Sequence, residues 1–334
     1  MSVTLADVAR RAGVSPATAS RALGGRPHVA PATRLRVHRA ADELQFVVSP
    51  EASRLAGGSG GRVGVVVPHL AQWSCGAVLE GLEPVLRGAG VDVLLYGVGD
   101  AAARTAFFAD LPARRRVDAL VVLGTALDEH ERGRLELMAV PVVAAAATGR
   151  QPGVHVDEHA AARHAVDHLL HLGHRRIGAV AAAGPLDGVL DGALEAFAAA
   201  HREALRGAGF PHEDLLVRVG RGASGAAEGA GRLLGLREPP TAVVASSDEV
   251  ALGVVRTLGR ARLRVPDDVS VVGLGDHPLA EAADLTTVCR PVREQGAEAA
   301  RMVLAALVDG AVPPSVVLPS RLVVRGSTAP PRSA

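Results

Sequence analysis

Lysine is absent from this chain, and all 36 basic side chains are arginine. A phosphate-cradling loop of the G-x-x-x-x-G-K-[ST] type is thereby excluded. Cysteine is scarce: Cys75 and Cys289 cannot form the disulfide framework of a small secreted fold, so a reducing cytoplasm is expected. No apolar run reaches the ~18 residues of a membrane span. The first dozen residues lack the apolar stretch of an export signal and read as an amphipathic helix. No G-x-G-x-x-G follows an apolar run, since the glycine-rich 222–231 stretch "GASGAAEGAG" does not fit that pattern. No nucleophile stands with a base. Neither an enzyme nor a cofactor is expected.

What is present is a chain of 334 residues, 48% hydrophobic, long enough for more than one domain. Its net charge of +1 is unevenly spread: residues 1–60 carry eight arginines against four acids. A basic end on a near-neutral body suggests a polyanion partner for that end.

Three short helices read off that end. Thr4 precedes Leu5, with Asp7 completing a variant capping box, and the helix stops at Gly13. Ser15 is a good N-cap with Pro16 in the first helical position. A third helix runs from about Pro31 to Leu44 with Val37, Ala41 and Leu44 on one face, and Ala30 stands where a capping side chain is expected. The second helix carries one long polar side chain, Arg21, among Pro16, Ala17, Thr18, Ala19, Ser20, Ala22 and Leu23. Two helices joined by the tight "AGVS" turn make a helix-turn-helix. Small residues let such a helix sink into a major groove about 12 Å wide. Arg21 can fork to guanine or phosphate, Thr18 and Ser20 can bond phosphates or base edges, and Ala17 can touch a thymine methyl.

"GGSGG" at 57–61 breaks all periodicity and reads as a linker. Just before it, Ser49-Pro50 can start a short helix carrying Ala52 and Leu55. From Arg62 onward, apolar runs at 62–68, 91–97, 117–124, 140–146, 176–182, 241–246 and 269–275 alternate with helical stretches. That pattern implies parallel sheets covered on both faces, and its length implies two similar lobes. His155, His159, His164, His168, His171 and His174 include helical spacings that can hold a metal, but no carboxylate completes a convincing set, and a structural or solvated role is expected.

The segments "VTLADVARRAGVSPATASRAL" and "TRLRVHRAADEL" resemble the headpiece of the LacI/GalR family of bacterial transcription regulators. The resemblance continues in "VGVVVP", "DHLLHLGHRRIGAV", "SDEVALGVVRTL", "VPDDVSVVGLGD", "LTTV" and "LVVRGSTAPP", nearly the whole chain. It implies an α/β protein with an N-terminal three-helix DNA-binding headpiece (1–46), a hinge helix and linker (47–61), and a core of two Rossmann-like lobes of the periplasmic-binding-protein type (62–334). It implies a cytoplasmic homodimer, a repressor, that binds palindromic double-stranded operator DNA and is modulated by a small molecule between the lobes. Carried over by position, the DNA-binding set is Thr4, Ser15, Pro16, Ala17, Thr18, Ser20, Arg21, His28, Val29, Ala52 and Leu55. Leu55 matches the hinge leucine that wedges the minor groove, and Ala52 the small residue that lets two hinge helices pack. An apolar wedge of this kind unstacks a base step and bends the duplex.

The cleft departs from the family pattern. Its customary arginine falls on Ala193, its asparagine on Ser247, and its acid on Gly275 beside Asp276. The two aromatics that stack on a ligand ring become Ser74 and Cys75, with Trp73 one place earlier. Losing those groups argues against a simple monosaccharide. Gln72, Trp73, Asp187, Asp191, Ser247 and Asp276 remain as pocket candidates. The alternative is a ligand-independent regulator with a degenerate cleft.

Overall fold

The computed structural model describes residues 3–24, 29–46, 61–146, 151–183 and 191–332. The chain divides into two compact units, residues 1–61 with 90–92 and the remainder.

The first unit holds α1 (Leu5–Ala12), α2 (Pro16–Leu23) and α3 (Pro31–Glu43). Gly13 ends α1 in the left-handed region at φ 64°, a conformation that costs glycine nothing, and its N–H closes on carbonyls of the last turn. Ala30 leaves α3 without a side-chain cap, as its sequence predicts. Val8, Ala9, Ala19, Ala22, Val37 and Ala40 form a core almost without solvent exposure, and Leu5, Val14, Leu23, Val29, Leu44 and Phe46 pack around it.

The second unit is built on two six-stranded sheets. Lobe one has the order β11-β5-β4-β3-β1-β2, from β1 (Arg62–Val67), β2 (Asp92–Gly97), β3 (Ala119–Leu123), β4 (Val142–Ala145), β5 (Gly153–Val156) and β11 (Val316–Leu318). Lobe two has the order β12-β10-β9-β8-β6-β7, from β6 (Ile177–Ala183), β7 (Leu216–Gly220), β8 (Ala242–Ala245), β9 (Ser270–Gly275), β10 (Thr286–Cys289) and β12 (Arg321–Val323). Pairing is parallel from β11 through to β1 and from β10 through to β7, and β12 runs antiparallel to β10. All seven apolar runs of the sequence become strands, and β1, β3, β8 and β9 are buried along almost their whole length, as covered parallel strands must be.

Lobe one carries α4 (Trp73–Gly88), α5 (Ala101–Asp110), α6 (Glu129–Glu136) and α12 (Val292–Asp309). Lobe two carries α7 (Glu158–His171), α8 (Asp191–Gly207), α9 (Gly222–Leu234), α10 (Asp248–Arg260) and α11 (Pro278–Ala282). The glycine-rich 222–231 stretch is therefore helical and not a phosphate loop. The chain crosses between lobes three times, at 156–158, 289–292 and 318–321. Helices follow strands, so helix N-termini of both lobes gather where the sheets face each other. No helix among the described residues is long and apolar enough to cross a membrane.

The histidines disperse into separate bonds. His159 meets Glu203 at 2.9 Å, His171 donates to the Asp167 carbonyl, and His164 faces Ser320. No group of three metal-ligating side chains gathers among the described residues. His174 is buried, tying Thr241 and Ser270 to the Ala329 carbonyl of the C-terminal tail. Nε2 of buried His201 donates to the Ile177 carbonyl at 2.8 Å. Burial pushes His168, His174 and His201, all in lobe two, below the ordinary imidazole value of 6.5. Below that value the unfolded chain takes up protons that the folded lobe refuses, so stability is lost as pH falls. The urea midpoint is expected to drop between about pH 7.5 and about pH 5.5, with a shallower slope in His201→Gln. A pH-independent midpoint would contradict this.

Candidate functional site: headpiece face and interlobe cleft

In the headpiece, α2 divides its small residues between two tasks. Ala19 and Ala22 are fully buried and let α2 lie close against α1 and α3. Pro16, Ala17 and Arg21 are exposed, and Thr18 and Ser20 are half-buried beside them. The outward face is thus shallow, with one guanidinium rising from its end, and Arg21 Nε donates to the Ala17 carbonyl at 3.2 Å.

Ser15 fixes the start of that face. Its hydroxyl accepts from the Thr18 N–H at 3.2 Å and meets the Thr18 hydroxyl at 2.9 Å. Ser15→Ala is expected to cost about 1 kcal/mol of local stability, read as faster amide exchange across α2 in the full-length protein. Unchanged exchange would remove Ser15 from the cap. Thr4 is likewise a cap: Asp7 donates its N–H to the Thr4 hydroxyl and receives the Thr4 N–H at 3.0 Å. The hydroxyl hydrogen bond and the Thr4 N–H hold the Asp7 carboxyl below its usual range. Val29 packs its side chain onto the headpiece core. His28, Ala52 and Leu55 lie outside the described residues.

In the second unit a cavity of about 590 Å³ opens between the lobes, a size suited to a small metabolite. Of the six pocket candidates, Gln72 and Ser247 are in its wall. Gln72 precedes α4, and its Oε1 accepts from Arg221 Nη1 of lobe two at 3.3 Å, which bridges the cleft. Ser247 also caps α10, accepting the Val250 N–H at 3.3 Å.

Trp73 and Asp276 are not in the wall. The Trp73 ring lies 4.8 Å from that of His277, a second contact between lobes. Asp276 is drawn away by Arg325, whose Nη2 stands 2.7 Å from its carboxylate. Asp187 lies outside the described residues, and of Asp191 only its backbone, at the start of α8, is described.

Ala193, on which the family's customary arginine falls, is in the wall. Three other arginines enter instead. Arg221 comes from the start of α9, Arg256 from α10, and Arg290 from the crossover after β10. Arg290 Nη1 reaches both Glu158 carboxylate oxygens, at 3.1 and 3.3 Å, and Nη2 donates to the Leu274 carbonyl. Its Nε is buried with no hydrogen-bond partner among the described residues. Glu158 draws the Arg290 pKa up, against the cost of burial.

Asp248, the first residue of α10, anchors this crossover. Its fully buried carboxylate accepts from the His277 N–H at 2.6 Å and from the Thr287 hydroxyl at 2.5 Å. Burial pushes its carboxyl above the usual range, opposed by those two bonds. Apolar side chains of Leu123, Leu194, Phe197 and Leu252 complete the wall. A small molecule in this cleft touches both lobes and can alter their contacts.

This architecture has known counterparts. The profile described as "Bacterial regulatory proteins, lacI family" matches residues 4–49, and the one described as "Periplasmic binding protein-like domain" matches 166–328. The chain is 32% identical to the HTH-type transcriptional repressor CytR of Escherichia coli (strain K12), covering 97% of this chain and 96% of that protein. It is 30% identical to catabolite control protein A of Priestia megaterium, over 98% and 100% of the two chains. Among solved structures, the Lac repressor dimer bound to operator and the anti-inducer ONPF superposes with a TM-score of 0.86 at 27% identity, covering 98% of this chain and all of that one. CytR is a transcriptional repressor, and the Lac repressor is bound to operator in its structure. A helix-turn-helix headpiece followed by two parallel-sheet lobes, matched over nearly its full length, makes this chain a member of the lacI family of bacterial regulatory proteins.

Proposed function

We propose that the chain acts in the cytoplasm as a homodimeric repressor that reads a palindromic operator with the outer face of α2 and is modulated by a small molecule bound between its lobes. The observation that carries this reading is the division of α2: alanines inward at 19 and 22, and a shallow exposed face of Pro16, Ala17 and Arg21 outward. A helix of that shape enters a major groove, where Arg21 supplies a forked donor.

Residues 1–46 form the reading head, 47–61 the hinge, and 62–334 the core. Ser15, Thr18, Ser20, Thr4, His28 and Val29 position or contact the backbone, and Leu55 wedges the minor groove with Ala52 at the hinge contact. The core couples to DNA through its lobes. A ligand in the cleft biases the Gln72–Arg221 and Trp73–His277 contacts, and with them the separation of the two hinges. The Lac repressor dimer bound to operator and an anti-inducer supports the dimeric arrangement.

Genomic fragments captured by the full-length protein test the reading. They are expected to share an inverted repeat bound by two chains, with a central step whose recognition weakens in Leu55→Ala. One chain per site, or fragments without two-fold symmetry, would overturn it.

A further inference from the structure

Two long helices point their N-termini into the cleft from opposite lobes. Ser74 and Cys75 bring α4, and Gly222 and Ala223 bring α9, into the cavity wall. Neither helix has a side-chain cap at its start. Their leading N–H groups carry partial positive charge and want acceptors.

The side chains of the wall add to that field. Among the described residues of the wall, three guanidinium groups face two carboxylates, but Glu158 is already engaged by Arg290. Among the described residues, Arg221 and Arg256 therefore stand against Glu249 alone, and Arg221 sits at the start of α9 with the neutral Gln72 amide as its side-chain partner.

Two polar groups of the cavity wall then lack hydrogen-bond partners among the described residues. Gln295, on the first turns of α12, is 2% exposed, lines the wall, and its side-chain amide makes no hydrogen bond to any described residue. Arg290 Nε is the second. A buried guanidinium N–H without a partner costs free energy unless a ligand satisfies it, and an amide in the cavity wall with no hydrogen bond of its own is free to bond that ligand.

From this convergence we infer that the cleft takes a small anionic polyol, a sugar acid or a sugar phosphate, in preference to a neutral sugar. The carboxylate or phosphate lies between Arg221 and the starts of α4 and α9. The hydroxyls of the ligand meet Gln295 and Arg290 Nε, and its carbon faces lie on Leu194 and Phe197. The assignment rests on the ligand-modulated reading above and narrows it to one chemical class.

Trp73 is the chain's only tryptophan and spans the two lobes beside the cavity, so its fluorescence reports on occupancy. The full-length protein is titrated at constant ionic strength with gluconate, glucose 6-phosphate and glucose, and operator binding is measured on the same samples. Saturable emission changes are expected with one or both anions, and the stronger of the two says whether the natural group is carboxylate or phosphate. Glucose is expected to bind at least about tenfold more weakly. Arg221→Gln and Gln295→Leu should each weaken the anion, Arg221→Gln by about tenfold or more, while Arg206→Gln on the exposed end of α8 should not. Glucose binding as well as the anions, no saturable response to either anion, or anion affinity in Arg221→Gln within about twofold of the parent would each overturn the inference. Operator binding that persists when the anions fail refutes the ligand class and leaves the regulator intact. Loss of operator binding by the parent protein refutes the regulator itself.

Discussion

Gly81→Val is expected to abolish cooperative folding of the two-lobed core, or to lower its melting temperature more than any other single change considered. Helices α4 and α12 cross with no side chain between them at two points. A Cβ at Gly81 would lie 1.8 Å from the Arg293 carbonyl oxygen, and one at Gly296 would lie 1.9 Å from that of Val78. Both obstacles are main chain, so no rotamer change relieves them. Overpacking normally costs about 1–3 kcal/mol because side chains give way. Here two helices must separate, and the cost should reach or exceed the top of that range. Gly76 supplies the control within the same helix, since a Cβ there meets nothing within 4 Å. Gly76→Ala should be neutral or stabilise by about 0.5–1 kcal/mol through helix propensity. Thermal melts of the two variants giving equal results would show that the crossing is looser than the structure has it.

The second large effect lies in lobe one. Arg104 on α5 is buried and makes a two-pronged bond to the buried Glu131 of α6, Nε to Oε1 and Nη2 to Oε2, both at 2.5 Å. Two further donors go to the Thr125 hydroxyl at 2.6 Å and the Ala126 carbonyl at 2.8 Å. Arg104→Ala strands Glu131 as an uncompensated buried carboxylate, and breaking such a pair costs about 3–5 kcal/mol. The headpiece offers a matched surface pair, Arg11 with Glu43 at 2.6 Å and both more than half exposed. Arg11→Ala should cost less than about 1 kcal/mol, because water already screens that pair. Urea denaturation of both variants decides it: comparable losses would mean that burial of the Arg104 pair contributes nothing.

These two sites show where the sequence is eloquent and where it is mute. The seven long apolar runs announce strands because a strand covered on both faces has no polar side to interrupt it. β7, by contrast, places Arg218 outward in "LVRVG", and β5, β11 and β12 are only three or four residues long, so no periodicity distinguishes them from loops. The 222–231 stretch conceals a helix because glycine is poor in helical propensity. Gly225 is nonetheless needed there, since a Cβ would fall 1.6 Å from the Gly220 carbonyl oxygen.

The headpiece is the most legible part. Its caps, turn and face all lie between Thr4 and Arg21, and local rules fix them. The cleft is the least. Gln72 and Ser247 are visible through their motifs, but Arg221, Arg256, Arg290 and Gln295 come from three helices and a crossover that only the tertiary fold assembles. Nothing in an arginine's local sequence distinguishes these from the rest of a chain whose every basic residue is arginine. Asp276 shows the converse: its position beside β9 suggests a ligand contact, yet Arg325, 49 residues away, takes its carboxylate.

Selection of random duplex DNA on the full-length protein, run in parallel with Arg21→Ala, bears most directly on the claim that the outer face of α2 reads bases. The parent should enrich an inverted repeat. Arg21→Ala should lose discrimination at one base pair of each half-site, worth about 1–3 kcal/mol, while its remaining preferences persist. No enriched sequence even at low salt, where sequence-independent attraction is strongest, would contradict the claim, as would an identical repeat selected by both proteins.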